Sequence, residues 1–276
     1  MSASHETADA ARNAPIFVGG AGRSGTTLLR VILDSHSRIA CGPELKVIPS
    51  IAYLWADFQT KYAPFLASSQ VGAGDIDRLF RDLISGLLAP LRAREGKPRS
   101  AEKSPNNVFF FRHLHQIFPD ATFIHVLRDG RDVVASLLQM DWKTPDGIPI
   151  DYTRDPRLGA RYWANAVMTG REFARQTAGS SRYFEVRYEE LVERPEACLR
   201  PLFEYLGEPW EPDVLSFHQR SHELSDESSA DQVTKPLSRG SVGRWRNDLT
   251  PTDLAAIKHE AGGLLRDLGY VRDMNW

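Results

Sequence analysis

Ile16-Phe17-Val18-Gly19-Gly20-Ala21-Gly22-Arg23-Ser24-Gly25-Thr26-Thr27-Leu28-Leu29-Arg30 is the stretch from which the rest of the chain can be read. A short apolar run enters a glycine-rich turn, and the turn opens into a segment with helical spacing at Leu29, Ile32, Leu33 and His36. The grammar is strand, anion loop, helix. Glycines let backbone N–H groups converge on an anion, and the N-terminal end of the following helix adds unpaired donors and partial positive charge. Counted from Gly20, the spacing follows G-x-x-x-x-G-K-[ST] except that Thr26 stands in the lysine's place. The contact to the outer phosphates of a nucleoside triphosphate is therefore missing. Gly22, Arg23, Ser24, Gly25, Thr26 and Thr27 remain, a set suited to one terminal phosphate with a guanidinium beside it. A tight turn before an ordinary helix is the plainer alternative, and it leaves the arginine and the Ser/Thr triplet unexplained.

A second strand–loop–helix unit follows the same logic. Thr122-Phe123-Ile124-His125-Val126-Leu127 is β-prone, apolar and too short for a helix, and it runs through Arg128-Asp129-Gly130-Arg131-Asp132 into a helix predicted over Val133 to Gln139. Arg128 at the strand end and Ser136 on the helix can address one anion; the alternative is Asp129 capping the helix with Arg128 paired on the surface. Two such sites favour a ligand with two separated phosphates.

Between them, Ile39-Ala40-Cys41 reads as a short strand, and Gly42-Pro43 turns the chain so that Glu44 lies just beyond a strand end, where ligands of open α/β sheets gather. Lys103 sits at a similar place before a capped helix through Phe109 to Ile117. Taken locally, Glu44 reads as a solvated or capping carboxylate and Lys103 as a surface lysine. The aromatic stretch Ile51 to Phe65 and the amphipathic run from Ile76 to Leu91 read as core, with a pocket wall as the second reading of the aromatics. The segment Asp141 to Pro156 has no regular period and is expected to form a flap. A helix over Arg157 to Gln176, a strand over Tyr183 to Arg187 and a helix over Pro195 to Leu206 continue the alternation. The polar and basic stretch Ser221 to Arg246 suits a lid over an anionic ligand, and a last amphipathic helix spans Leu254 to Leu268. Alternating strands and helices imply an α/β fold: a P-loop-like central parallel sheet flanked by helices, formed by one domain over residues 15–276 behind a loose tail over 1–14.

Composition narrows the function classes. Lys and Arg number 34 against 36 Asp and Glu in 276 residues, so no basic excess points to nucleic acid. Cys41 and Cys198 are too few for a disulfide framework or a structural zinc site and read as free thiols in a reducing compartment. No run of eighteen apolar residues and no apolar signal segment occurs, which makes the cytoplasm the expected location.

The ordered set of motifs resembles the sulfotransferases that use 3′-phosphoadenosine 5′-phosphosulfate (PAPS), and within them the tyrosylprotein sulfotransferases. The markers are Phe17-Val18-Gly19-Gly20 with Arg23 to Thr27, Cys41-Gly42 with Glu44 and Val47-Ile48-Pro49, Lys103, Arg128-Asp129-Gly130-Arg131 with Ser136, Tyr188-Glu189, Asp231-Gln232-Val233 with Lys235-Pro236, and Arg244-Trp245. The resemblance implies that PAPS lies across the strand ends, its 5′-phosphosulfate on Arg23 to Thr27 and its 3′-phosphate on Arg128 and Ser136. Tyr188 and a segment bearing Ser229, Gln232, Lys235 and Ser238 would close over the nucleotide, with Arg244 beyond them. It further implies Glu44 as general base, Lys103, Arg23 and Ser229 stabilising charge on the transferring group, Lys46 meeting the acceptor, and no metal. This parallels phosphoryl transfer, where positioning and electrostatics carry the catalysis.

The chain departs from the family in Ala101, which stands where a partner for Cys41 is expected, and in Lys46, where the family has arginine; Leu45 and Ser50 leave the rest of that basic surface unfilled. The expected acceptor is a tyrosyl or phenolic hydroxyl, with a small-molecule, sugar or lipid alcohol as the alternative; a homodimer is left open. His36, His113, His115 and His125 are candidate bases by residue type alone, behind Glu44. A nucleotide kinase is disfavoured by Thr26 and by the lack of an aspartate pair for magnesium, and a non-catalytic nucleotide-binding module would need neither Glu44 nor Lys103.

Overall fold

The strands β1 (Ile16–Gly19), β2 (Ile39–Cys41), β3 (Arg99–Lys103), β4 (Thr122–Leu127) and β5 (Tyr183–Arg187) form one sheet in the order β2-β3-β1-β4-β5. All four pairings are parallel. These strands and the helices around them come from a computed structural model that describes residues 13–144, 146–178, 182–223 and 230–276. The chain leaving β1 returns on the β2 side, whereas the chain leaving β4 returns on the β5 side. Connections that part in this way open a crevice at the carboxyl ends of two adjacent strands, the place where open α/β sheets take ligands. Both predicted anion loops start there, with Gly19 in register with His125.

Every residue of β1 and β4 is buried, as expected for strands covered on both faces. Alternate residues feed two cores. Phe17 and Phe123 pack with the helices Ala73–Glu95, Phe111–Ile117, Pro156–Gln176 and Pro251–Asp267. Ile16, Val18, Ile124 and Val126 pack on the other side with the helices Thr26–Asp34 and Pro195–Leu206. Ala14, assigned to the tail by the sequence, is buried, and its carbonyl accepts Arg99 Nε–H at 2.8 Å.

β3 is the element hardest to read locally, because Arg99-Ser100-Ala101-Glu102-Lys103 carries three charges yet is buried throughout. Each charge has its own partners: Arg99 donates to the carbonyls of Ala14 and Leu206 and to Thr122 Oγ1, Glu102 accepts from Ser104 and Asn107, and Lys103 meets Thr27 and Glu44. A charge tolerates such a place only with partners of this kind. Beyond β3 the chain makes a 3₁₀ turn over Pro105–Phe110 before the helix Phe111–Ile117, so the predicted single helix is divided.

The helix after β4 starts at Gly130, earlier than predicted, because the Asp129 carboxylate accepts Arg131 N–H. A Cβ on Gly130 would lie 2.6 Å from the Trp163 ring, which packs there and donates its indole N–H to Arg128 O at 3.0 Å. The expected flap contains a Lys143–Pro149 bridge and a 3₁₀ turn over Asp151–Thr153, and the described part of the expected lid holds the short helices Ala230–Val233 and Trp245–Asp248.

Candidate functional site

The loop after β1 is shaped by close approach. A Cβ on Gly20 would fall 2.5 Å from Val126 O, and one on Gly25 would fall 2.4 Å from the Tyr188 ring at a φ of 94°. Arg23 itself holds a φ of 73°, a left-handed conformation that costs a non-glycine residue roughly 1–2 kcal/mol. Gly25 precedes the helix Thr26–Asp34, whose start is capped by no side chain among the described residues, which leaves its first amides without a side-chain acceptor. Gly22, Arg23, Gly25, Thr26 and Thr27 line a cavity of about 860 Å³. Ser24 does not line it: its side chain is buried, with Oγ unpartnered among the described residues, and its N–H donates to Ala21 O.

The second predicted anion site opens into the same cavity. Arg128 lies at its wall, donates to Arg23 O at 2.8 Å and to Ser241 O at 2.5 Å, and stacks over the Tyr188 ring at 4.5 Å. Its Nε is buried without a partner among the described residues. Arg23 turns its guanidinium toward this end, where Nε donates to Ser136 Oγ at 3.0 Å. Burial, with Arg128 and Arg244 nearby, holds the Arg23 guanidinium down to about 10. Three neighbouring guanidiniums, one buried and two half-buried, repel one another, and an anion between them relieves that repulsion.

Glu44 and Lys103 meet beside Thr27. Lys103, fully buried, donates from Nζ to Thr27 Oγ1 at 3.1 Å and to Glu44 Oε1 at 2.5 Å. The lysine thus ties the carboxylate to the phosphate loop, and the two sites lie in one cavity with Glu44 beside the first. Lys46 lines the same cavity from the exposed turn after Glu44. Tyr188, Gln232, Lys235, Ser238 and Arg244 line it as well. Arg244 is held by Asp248 at 2.6 Å and by Gln139 at 2.7 Å. Ser229 and the side chain of Asp231 lie outside the described residues.

Sequence reasoning did not single out the aromatic wall. Tyr152 and Tyr162 stack with ring centres 4.3 Å apart and planes 4° from parallel, and Trp142 stands edge-on to Tyr152. Asn106 joins them at the cavity surface. Tyr162 OH accepts Gly22 N–H at 2.8 Å, so that amide is already engaged. A Cβ on Gly22 would come within 3.2 Å of Trp142 and 3.3 Å of Tyr162 OH. Tyr162 looks like a core position of an amphipathic helix and Trp142 like a loop residue; the absence of a side chain at Gly22 was the one local signal. His36 and His125 are fully buried, and neither lines the cavity.

The sequence model of the Sulfotransferase family matches residues 15–212, a span that includes β1 to β5 and both anion loops. The chain belongs to the sulfotransferase family. Among curated relatives, this sulfotransferase is 32% identical over 266 residues to protein-tyrosine sulfotransferase A of Caenorhabditis elegans, covering 94% of this chain and 68% of the relative. Among solved structures, the sulfotransferase domain of the Synechococcus PCC 7002 olefin synthase superposes with a TM-score of 0.67 at 22% identity, covering 93% of this chain and 95% of that one. Mouse sulfotransferase SULT7A1, solved in complex with PAP, gives a TM-score of 0.57 at 15% identity over 94% of this chain and 88% of that one. These two share the fold of the sulfotransferase described here.

Proposed function

We propose that this sulfotransferase moves the sulfuryl group of PAPS to a tyrosyl or other phenolic hydroxyl, with Glu44 as general base. The observation that carries the reading is the bridge of the buried Lys103 Nζ between Thr27 Oγ1 and Glu44 Oε1, two residues that line one cavity with Arg23, Arg128 and Ser136. The donor set fits the nucleotide: crowded guanidiniums with an orphaned Arg128 Nε suit a phosphate dianion, and the uncapped helix start suits the second phosphate. PAPS supplies the sulfuryl group and carries the leaving phosphate.

Glu44 takes the proton of the acceptor hydroxyl as its oxygen bonds to sulfur. Lys103 and Arg23 meet the negative charge that accumulates as the bond from sulfur to the leaving oxygen breaks. Ser229 keeps its proposed part in this step, and Gln232, Lys235, Ser238 and Tyr188 enclose the nucleotide.

A phenolic acceptor is supported by the protein-tyrosine sulfotransferases among the relatives and by the Trp142–Tyr152–Tyr162 wall, which offers flat apolar area to a ring. Lys46 stands at the exposed edge, where it can meet an acidic group on the acceptor. A cytoplasmic location is supported by Cys41 and Cys198, both free thiols, with Ala101 directly opposite Cys41 in the sheet.

Sulfate transfer from labelled PAPS to a panel of tyrosine peptides, phenols and aliphatic alcohols tests the whole reading. Transfer to phenols is the expected result, and transfer confined to aliphatic alcohols would overturn the acceptor assignment. In calorimetry, adenosine 3′,5′-bisphosphate should bind without magnesium; a preference for ATP with magnesium would point to a kinase instead.

A further inference from the structure

The turn that carries Glu44 is poorly packed. Leu45, Lys46 and Val47 are exposed, Lys46 holds a φ of 56°, and Leu45 borders a separate cavity of about 310 Å³. Little apolar burial therefore holds residues 45–47 in place. Behind it lies Glu102, 2% exposed on β3, one residue before Lys103. Glu102 Oε1 accepts Ser104 O–H at 2.7 Å and Oε2 accepts Asn107 Nδ2–H at 2.5 Å, and the backbone N–H of Leu45 lies near enough to favour the charged carboxylate. Ser104 Oγ in turn accepts Lys46 N–H at 3.3 Å, and Asn107 Nδ2 also donates to Val18 O at 3.1 Å. The Lys46 amide thus hangs through one hydroxyl from a group locked into the sheet, and the Leu45 amide lies beside the same group.

We propose that Glu102 is a positioning residue for the reaction, holding the turn so that Glu44 faces the acceptor hydroxyl beside Lys103. This rests on the assignment of Glu44 as base. Glu102 lines the smaller cavity and not the larger one, so it does not touch the reacting groups itself. Burial pushes its carboxyl above the usual carboxylate range, and the donors from Asn107, Ser104 and Leu45 pull against that push.

The test compares two acceptors, an unactivated phenol and a nitrophenol whose far more acidic hydroxyl has little need of a base. Glu102→Gln turns one acceptor oxygen of the carboxylate into a donor, and Ser104→Ala removes the link to Lys46. Misplacing a catalytic group by about 1 Å costs up to about a hundredfold. Each variant should therefore lose about tenfold or more in kcat with the unactivated phenol and less than about threefold with the nitrophenol. Affinity for adenosine 3′,5′-bisphosphate should stay within about twofold of wild type, because its proposed contacts are untouched. Equal losses on both acceptors would show a general structural role and overturn the proposal; so would unchanged kcat in both variants while Glu44→Ala is inactive. If Glu44→Ala itself keeps full turnover, the assignment of the base fails and this inference falls with it. Should Glu102→Gln not fold, Ser104→Ala decides the matter alone.

Discussion

Removing the Arg128 guanidinium should weaken nucleotides that carry a 3′-phosphate far more than those that lack it. Arg128 is 5% exposed, and two of its nitrogens already hold the carbonyls of Arg23 and Ser241 while its plane lies on Tyr188. Arg128→Ala therefore has two effects. Loss of the two carbonyl contacts loosens the phosphate loop and the segment around Ser241, a cost of about 1 kcal/mol per bond felt by any nucleotide in the cavity. Loss of the charge-assisted contact to the 3′-phosphate removes a further ~1.5–3 kcal/mol, or roughly ten- to 150-fold in Kd. Calorimetry with adenosine 3′,5′-bisphosphate and with adenosine 5′-phosphate separates the effects, because the first is common to both ligands and cancels in the ratio. Arg128→Lys should fall between, since an ammonium keeps the charge but cannot span both carbonyls or stack on the ring. Equal weakening of the two nucleotides by Arg128→Ala would refute the placement of the 3′-phosphate.

Four further outcomes are expected. Glu44→Ala should abolish turnover while leaving bisphosphate affinity near wild type by calorimetry; retained turnover would move the base elsewhere. Burial holds the His125 imidazole from its ordinary 6.5 down to about 4, so between those values the unfolded chain binds a proton that the folded chain does not. Stability should accordingly fall as pH drops from 6.5 toward 4, by about 3 kcal/mol from this group, and urea unfolding of His125→Gln should show a flatter slope. Asp34 is held below the usual carboxylate range: burial opposes this, but His222, the Cys41 N–H and Lys97 outweigh it. That contribution is present above its unfolded value of 3.8 and lost as pH falls through the lower folded one, so the stability gap between wild type and Asp34→Asn should close in acid; a gap constant with pH would contradict it. Tyr162→Phe strips the acceptor from Gly22 N–H and should cost about 1–3 kcal/mol in urea unfolding, with an unchanged midpoint showing that the contact adds nothing.

Much of this protein is written locally. The apolar runs Ile16–Gly19 and Thr122–Leu127 each pass into a loop and a helix, and hydrophobic period, glycine and charge alone mark them as strands ending in candidate anion sites. The same local chemistry singled out Arg23, Arg128 and Ser136, and all three line one cavity. β3 was obscure for an opposite reason. Three charges in five residues read as surface, and they are buried because partners from Ala14, Thr27, Glu44 and Leu206, far away along the chain, satisfy them.

Tertiary structure alone decided the rest. The Lys103–Glu44 pair joins residues 59 positions apart, Tyr162 reaches Gly22 across 140, and Ser104 accepts Lys46 N–H across 58. Periodicity and turn chemistry act over a few residues and so determine where strands, loops and helices begin. Which side chains then face one another depends on the order of strands in the sheet and the direction each connection takes. That order is set by the burial of both faces at once, a property of the whole chain and of no segment within it.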